Sequence, residues 1–333
     1  MNDLTADIAN AQAASGTIEI SARGKWVEVP ALRVNGQIIV VTGEWMKIAS
    51  FHDEDWLEAE LVDPDYCLKM LRDCTGAHAA DILCFSQKVP ETVARYKYPM
   101  ENRSIAVADV ASFKDWWERL PQVTRKNVRR SQKRGVVIKV RSFDADLIDG
   151  IRNIQNESPV RQGRLNYHFG KSFEQVKRDH GAFLDRSDFI CAYFEEEFIG
   201  FLKLVYRGEV ASILQLNSKE AHYDKRPSNA LLAKAAEICE SRGVRYLTYG
   251  LFNYGNKRDT SLQEFKKRHG FDEMLVPTYY IPLTVWGQLC VKTRLYRGPL
   301  GLLPNSVLRF ALNVRAKWYS FFKPNSRCSS MSE

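Results

Sequence analysis

The stretch EVASILQLNSKEAHYDKRPSNALLAKAAEICESRGVRYLTYGLFNYGNKRDTSLQEFKKRHGF, residues 209–271, decides the fold. Its pattern predicts a strand that ends at residues 214–217, a polar loop, a helix that begins at Pro227, and a second strand over residues 244–249. A helix that connects two neighbouring parallel strands leaves a crevice at their carboxyl ends, where free helix N–H groups can meet a phosphate. The sequence therefore predicts a cofactor site between these two strands.

Length and composition indicate a folded protein with one large or two medium domains, since the chain has 333 residues and is 45% apolar. Residues 1–16 are polar and lack a basic region of the kind that begins a signal peptide, and we expect them to be disordered. No window contains the roughly 18 apolar residues of a spanning helix. These features predict a cytoplasmic protein. The seven cysteines include no CxxC pair, so neither a disulfide framework nor a metal site is predicted.

The net charge of +8 is concentrated at the C-terminus. Residues 285–333 contain eight basic residues and one acid, whereas residues 1–284 contain 40 basic and 39 acidic residues. Aromatic side chains alternate with the basic ones over residues 285–323. This mixture is typical of a helix on an anionic membrane surface, where each basic residue contributes roughly 1 kcal/mol. The other interpretation is a helix that packs on the first lobe with a basic outer face.

The order of elements predicts two units before this C-terminal segment. Residues 17–115 form a smaller α/β lobe, with strands predicted at 17–22, 34–41, 45–48, 80–85 and 104–110, a turn at Asn35-Gly36 and a helix start at 63–65. Residues 116–284 follow, with strands predicted at 136–140, 188–194, 198–206, 210–216, 244–249 and 274–283, the last one broken at Pro277. Helices are predicted at 144–156, from Ser172, at 227–241 and at 260–269.

A basic helix is predicted over residues 124–135, TRKNVRRSQKRG. Helical spacing places Arg125, Arg129 and Lys133 on one stripe, and Lys126, Arg130 and Arg134 on the next. The helix is either a solvated basic face or a surface for RNA, a nucleotide diphosphate or an anionic lipid.

This order of strands and helices resembles the GNAT acyltransferase fold, an α/β (α+β) fold with a mixed central sheet. In that fold the fourth and fifth strands splay apart, and the acyl donor lies between them with its pyrophosphate on the following helix. The loop at residues 222–230 holds Lys225, Ser228 and Ala230 at the places of the family's Arg/Gln-x-x-Gly-x-Gly/Ala motif, with serine in place of the central glycine. The resemblance implies a donor carbonyl polarised by a main-chain N–H at a bulge within residues 214–217. The donor-binding residues that it implies are Gln215, Leu216, Asn217, Lys225, Arg226, Ser228, Asn229 and Ala230.

Three segments, residues 124–135, 227–243 and 262–271, look like the FemAB-like branch of this superfamily. The resemblance covers about residues 115–283, and its most specific part is Phe-Lys-x-x-x-Gly-Phe at 265–271. Members of this branch have two GNAT-like lobes, which implies that residues 17–115 are a degenerate first lobe. The best-known members use aminoacyl-tRNA to build peptidoglycan precursors, and others are associated with exopolysaccharide. The coiled-coil arm of several tRNA-using members has no counterpart here.

Three residues are candidates for the chemistry of transfer. Lys266 stands where acetyl-CoA-using members often have a tyrosine that protonates the leaving thiolate. Its ammonium could stabilise an oxyanion, or the residue could be a solvated helix position. Glu157 could be the general base or a surface glutamate, and Tyr249 could carry a proton or pack in the core.

The loop at residues 161–170 occupies the usual acceptor position of the resembling fold. Its candidate substrate-binding residues combine cations, an amide, a phenol and an imidazole, which suits a phosphorylated or sugar acceptor: Arg161, Gln162, Arg164, Tyr167 and His168.

Together these features predict a cytoplasmic acyltransferase or aminoacyltransferase, peripheral to the inner membrane face, that acts in cell-envelope or exopolysaccharide biosynthesis. The co-substrate would be acyl-CoA or aminoacyl-tRNA, the acceptor would be a small-molecule or lipid-linked amine, and no metal is required. The alternative is a non-catalytic GNAT-like module that binds an anionic glycolipid or RNA.

Overall fold

A mixed twelve-stranded sheet runs through the part of the chain that the computed structural model describes. The described residues are 14–297 without 23–24, 35, 53–56, 58–59, 62, 162–163 and 254–259. The first half supplies six strands and one helix: β1 (Ala14–Ala22), β2 (Lys25–Val34), β3 (Gln37–Thr42), β4 (Ile48–Phe51), α1 (Pro64–Arg72), β5 (Ile82–Ser86) and β6 (Met100–Asp109).

The second half supplies the remaining strands and most of the helices. In chain order these are α2 (Phe113–Arg119), α3 (Gln122–Lys133), β7 (Val137–Arg141), α4 (Ala145–Gln155), β8 (Val160–Arg161), β9 (Arg164–Leu165), α5 (Phe173–His180), β10 (Ser187–Phe194), β11 (Glu197–Arg207), β12 (Val210–Ser218), α6 (Pro227–Ser241), β13 (Tyr246–Leu251), α7 (Ser261–Arg268), β14 (Asp272–Pro282) and α8 (Val285–Thr293). The strands of the large sheet lie in the order β1-β2-β3-β4-β5-β14-β6-β13-β12-β11-β10-β7, and β8 and β9 form a separate small hairpin.

The two halves of the sheet contain the same strand–helix–strand unit. In the first half, β4 and β5 are parallel over three residue pairs and are connected through α1. In the second half, β12 and β13 are parallel over three residue pairs and are connected through α6. Both helices begin with a proline, which is favoured there because the first helical N–H has no partner in the helix. This repeat supports the interpretation of residues 17–115 as a degenerate GNAT-like lobe, and the boundaries of the lobes stay a prediction.

Local sequence signals set the helix ends as expected. The side chains of Asp63, Asp144, Ser172 and Thr260 each accept a hydrogen bond from a main-chain N–H in the first turn of α1, α4, α5 and α7. Each half has its own buried apolar cluster, one beneath α1 and the other beneath α6. The capping hydrogen bonds therefore fix where α1, α4, α5 and α7 begin.

Four details of the predicted elements were wrong. The last strand is not broken at Pro277, because β14 pairs with β6 on one side and the Pro277 carbonyl accepts the Gln87 N–H on the other side (2.9 Å). The strand predicted at residues 45–48 begins only at Ile48, after a bend that leaves Trp45 exposed. β2 was not predicted, and residues 14–16 of the expected disordered tail lie in β1.

None of the helices in the described ranges is both long enough and apolar enough to cross a membrane.

Candidate functional site

A cleft opens between β12 and β13 because their pairing stops early. The two strands are parallel only from Val210 to Ser212 on β12 and from Tyr246 to Thr248 on β13. Beyond these residues β12 continues to Ser218 and β13 to Leu251, but their residues no longer pair with each other. The sequence predicts that these strands diverge after Leu216; they do diverge, but the pairing already ends at Ser212, four residues earlier.

A β-bulge lies in β12 beside the cleft. Lys203 of β11 pairs with Gln215, whereas the next residue, Leu204, pairs with Ile213, so Leu214 has no opposite residue. Such a bulge turns main-chain groups out of the ladder and increases the local twist. It falls within residues 214–217, where the resemblance placed a polarising N–H group.

The amino end of α6 forms one end of the cleft. Arg226 adopts the left-handed conformation (φ 58°) just before Pro227, which turns the chain sharply into the helix. The Ser228 hydroxyl lies 3.0 Å from the Ser218 hydroxyl, so the first turn of the helix is joined to the end of β12. Free N–H groups at a helix start attract phosphate and other anions. The arrangement suits the phosphate group of a bound donor.

The cleft has a volume of about 650 Å³ and is lined by both strands, the start of α6 and α7. Of the predicted donor-binding residues, Leu216, Asn217, Arg226, Ser228 and Asn229 line it. The other three lie beside it. The Gln215 side chain accepts a hydrogen bond from Asn217 (3.3 Å), the Lys225 ammonium sits over the Phe194 ring (4.4 Å), and Ala230 is buried.

Lys266 is fully buried behind the cleft wall. Its amino group donates hydrogen bonds to the main-chain carbonyls of Tyr249 (2.5 Å) and Leu251 (2.7 Å), and it lies 4.6 Å from the centre of the Tyr249 ring. Tyr249 itself lines the cleft. The lysine therefore holds the end of β13 in the position that leaves the cleft open. A catalytic role for Lys266 or Tyr249 stays a prediction.

The rest of the Phe-Lys-x-x-x-Gly-Phe segment fixes α7 in place. Gly270 has a φ of 77°, and a Cβ atom there would lie 3.0 Å from the Trp116 indole nitrogen, so glycine is favoured on both counts. That indole N–H donates to the His269 carbonyl (3.2 Å), and Phe271 is buried. The sequence motif is thus a packing motif that supports the cleft.

His269 joins α7 to the start of α6. Its Nδ1 lies 2.7 Å from the Phe265 carbonyl, which requires Nδ1–H, so Nε2 accepts from the Asn229 amide at 2.6 Å. Sequence analysis missed this pair because the two residues are 40 positions apart.

Acid is expected to destabilise the protein through His269 and the buried His180. Burial lowers the pKa of His269 to about 4 and that of His180 to about 3, from 6.5. Between these values and 6.5 the unfolded chain binds more protons than the folded one, so stability is lost as the pH falls through this window. Urea unfolding from about pH 7 to about pH 4 should show a smaller decline for His269→Gln than for the wild type. Parallel declines would contradict this assignment.

Two solved structures are similar to this chain over most of its length. The crystal structure of FemX is 10% identical over 84% of this chain and 91% of FemX, with a TM-score of 0.57. The C-terminal domain (DUF2156) of a candidate lysylphosphatidylglycerol synthetase from Agrobacterium fabrum is 13% identical over 77% of this chain and 84% of that domain, with a TM-score of 0.51. The amino-acid sequence matches no protein-family model and no curated protein.

The chain has a GNAT-like fold, which it shares with FemX. The β12–β13 cleft lies where the sequence resemblance implies a donor site, and donor binding there stays a prediction. The loop between α4 and α5, where the resemblance implies an acceptor site, reaches the cleft through Arg161, and its acceptor role stays a prediction.

Glu157, two residues after the end of α4, binds main-chain N–H groups through its carboxylate. One oxygen accepts the Glu220 N–H (2.7 Å) and the other accepts the Ala221 N–H (3.1 Å). These two residues begin the 3₁₀-helix Glu220–Lys225, which leads from β12 to α6. The carboxylate therefore supports the donor loop, and its role as a general base stays a prediction.

Arg161 connects the acceptor loop to the donor strand. Its guanidinium donates to the Asn217 side chain (3.1 Å) and to the Ser218 carbonyl, and it lies 3.7 Å from the Glu220 carboxylate. Arg161 also lines the cleft. Among the predicted acceptor-loop residues whose side chains the structure describes, Arg161 contacts the predicted donor-binding residue Asn217.

The other predicted acceptor residues lie farther along the loop. Tyr167 is 75% exposed, and His168 is partly buried, with a pKa lowered first by burial and then by Lys171. Gln162 lies outside the described residues, as does the side chain of Arg164.

A polar chain that sequence analysis missed links this loop to the first half of the sheet. Lys171 lies 3.5 Å from the His168 ring and pairs with Asp179, which accepts the Trp26 indole N–H at 3.1 Å. Trp26 belongs to β2, so the amino-terminal hairpin contacts α5 on the acceptor side. Its separation of 153 residues from Asp179 left no local signal in the sequence.

The basic helix α3 packs beside the start of α6. Thr124, Val128 and Ser131 face the core, and the cations lie outside them. Arg134 pairs with Asp224, and Arg129 lies over the Trp117 ring (5.7 Å). A second cavity of about 430 Å³ lies between α3, α6 and α7 and shares Arg226, Asn229, Ser261 and Phe265 with the cleft. The basic helix α3 therefore begins beside the end of the cleft that the start of α6 forms.

Within the described ranges, no group of three or more His, Cys, Asp or Glu side chains is arranged to hold a metal ion.

Proposed function

We propose that this protein is a transferase that moves an acyl or aminoacyl group from a donor in the β12–β13 cleft to an amine of a cell-envelope or polysaccharide precursor. One observation carries the proposal: β12 and β13 diverge after three residue pairs, with the Leu214 bulge on one wall and the start of α6 at one end. The cleft thus combines space for an extended donor, main-chain donors for a carbonyl, and an anion site.

The reaction is a direct transfer. The acceptor nitrogen attacks the donor carbonyl, a C–N bond forms, and the C–S bond of a thioester or the C–O bond of an aminoacyl ester breaks. The nitrogen loses one proton, and the leaving thiolate or alkoxide takes one up. Main-chain N–H groups at the Leu214 bulge would stabilise the oxyanion of the tetrahedral intermediate, and no covalent enzyme intermediate is needed.

The acceptor would approach from the side of Arg161. Its guanidinium stands where the acceptor loop meets the donor strand, and its planar fork suits a phosphate or carboxylate. One similar structure belongs to a candidate lysylphosphatidylglycerol synthetase, and lysylphosphatidylglycerol is an aminoacylated membrane lipid. This supports an envelope acceptor for the present chain.

Two donors fit the cleft, acyl-CoA and aminoacyl-tRNA. The stripes of α3 next to the phosphate-binding end favour a donor with many phosphates, and the missing coiled-coil arm favours a thioester. Thermal unfolding with coenzyme A and, separately, with deacylated tRNA tests the proposal. A ligand at a concentration of 100 times its Kd should raise the free energy of unfolding by about 2.7 kcal/mol and the Tm by a few degrees. A Tm unchanged by both ligands would overturn the donor assignment.

The second candidate function is a non-catalytic module that binds an anionic glycolipid or RNA. It is favoured by the engagement of Lys266 and Glu157 with main-chain groups. Product formation separates the two functions, because a transferase consumes the acylated donor only when an amine acceptor is present, whereas a binding module leaves the donor intact.

A further inference from the structure

Helix α8 carries most of its large apolar side chains on the outside. Val285 is 86% exposed, Leu289 48% and Trp286 40%, whereas the residues that face the protein are Gly287, Cys290 and the partly buried Val291. An ordinary surface helix has the opposite arrangement, with its apolar stripe on the core. The exposed stripe therefore needs an explanation other than folding.

The position of α8 is fixed by close packing against the first half of the sheet. Thr284 caps the helix and donates its hydroxyl to the Asp81 carboxylate (2.8 Å). A Cβ atom on Gly287 would lie only 1.9 Å from the Asp81 carbonyl oxygen. Rotating α8 to bury Val285 and Leu289 would break this contact, so the apolar stripe stays outside.

A second exposed tryptophan extends the stripe. Trp45, on the bend between β3 and β4, is 56% exposed and meets Trp286 edge to face at 6.2 Å. The Trp286 indole N–H donates to the Trp45 carbonyl at 3.1 Å. The four side chains Trp45, Val285, Trp286 and Leu289 form a contiguous surface, here called the aromatic patch.

Two cations lie at the carboxyl end of α8, beside the aromatic patch. Lys292 follows Leu289 by three positions and so lies on the same helix face, and both Lys292 and Arg294 are exposed. In the described part of the chain neither of them forms a salt bridge. After Arg297 the sequence continues for 36 residues with five basic residues, one acid and five aromatic residues.

We propose that the aromatic patch is a membrane-contact surface for a bilayer that contains anionic lipid. Indole rings favour the boundary between headgroups and acyl chains, and cations beside them are attracted to anionic headgroups. A stable protein dimer buries about 20–30 residues a side, far more than this patch offers. The patch lies at α8 and not at the β12–β13 cleft, so this proposal stands independently of the proposed function.

Vesicle flotation with purified full-length protein tests the proposal. The double variant V285S/L289Q changes two exposed side chains and should keep the fold. We expect the wild type to float with vesicles of mixed phosphatidylcholine and phosphatidylglycerol, and the double variant to bind about tenfold more weakly. Vesicles of phosphatidylcholine alone should bind the wild type more weakly because they lack the charge.

The matched control is V93S/V137S, which removes two exposed valines away from α8 (77% and 51% exposed). It should float like the wild type. Equal flotation of V285S/L289Q and the wild type would overturn the proposal, and so would a concentration-dependent dimer that the double variant abolishes. The single variant L289Q, with its unfolding temperature measured in parallel, keeps the test valid if the double variant is unstable. Donor binding by the double variant should be unchanged, which separates this test from that of the cleft.

Discussion

Replacing Lys266 with methionine is expected to lower the free energy of unfolding by about 3 kcal/mol and to weaken donor binding. Methionine matches the length of the lysine stem but donates no hydrogen bond. The carbonyls of Tyr249 and Leu251 would lose the donor that now lies 2.5 and 2.7 Å away. An unsatisfied buried carbonyl costs about 1–3 kcal/mol, and the removal of a buried charge offsets part of this cost.

The neighbouring Lys267 provides the matched control. Its side chain is 47% exposed and lies 3.8 Å from Glu264, so Lys267→Met should change stability by less than about 0.5 kcal/mol. Chemical unfolding measures both variants. Donor affinity then shows whether the end of β13 has moved into the cleft. Equal stability of the two variants would show that Lys266 does not hold β13, and unchanged stability with lost turnover would restore its catalytic interpretation.

Replacing Ser228 with glutamate is expected to weaken donor binding by about a hundredfold or more. Ser228 lines the cleft in the first turn of α6, where a donor phosphate would meet the helix N–H groups. Two negative charges about 4 Å apart repel by about 4 kcal/mol at an effective dielectric constant of 20. A carboxylate at a helix start is also favourable for the helix, so the protein should fold normally.

Ser241→Glu makes the same substitution at the exposed carboxyl end of α6 and should leave donor affinity unchanged. Isothermal titration with whichever donor stabilises the protein measures both variants. If the two variants bind the donor equally well, its phosphate does not lie at the start of α6.

Much of the second half of the chain could be predicted because its signals are local. Asp144, Ser172 and Thr260 mark helix starts by a hydrogen bond within one turn. The cleft also follows from local order, since a polar loop after a buried strand and before a proline-initiated helix predicts a crevice. The sequence resemblance supplied the place of the bulge.

The remaining features depend on contacts between distant parts of the chain. Lys266 looked like a solvated or catalytic residue because its acceptors are carbonyls, which any residue can supply. Glu157 likewise holds main-chain N–H groups 63 and 64 positions away. Pro277 suggested a broken strand because the position of β14 between two other strands is decided by the whole sheet. The GNAT fold therefore explains where residues lie, and only the contacts explain what many of them do.

The central position of β14 has a consequence for how the protein is made. β14 is the last strand of the described chain, yet it lies between β5 and β6, both of which belong to the first half. While a ribosome is still synthesising residues before 272, β5 and β6 each lack a neighbour that the finished sheet provides. Such open strand edges can pair wrongly with other chains. The first half of this polypeptide therefore cannot complete its sheet until residues 272–282 have emerged, and a chaperone that shields β5 and β6 during translation would protect them until then.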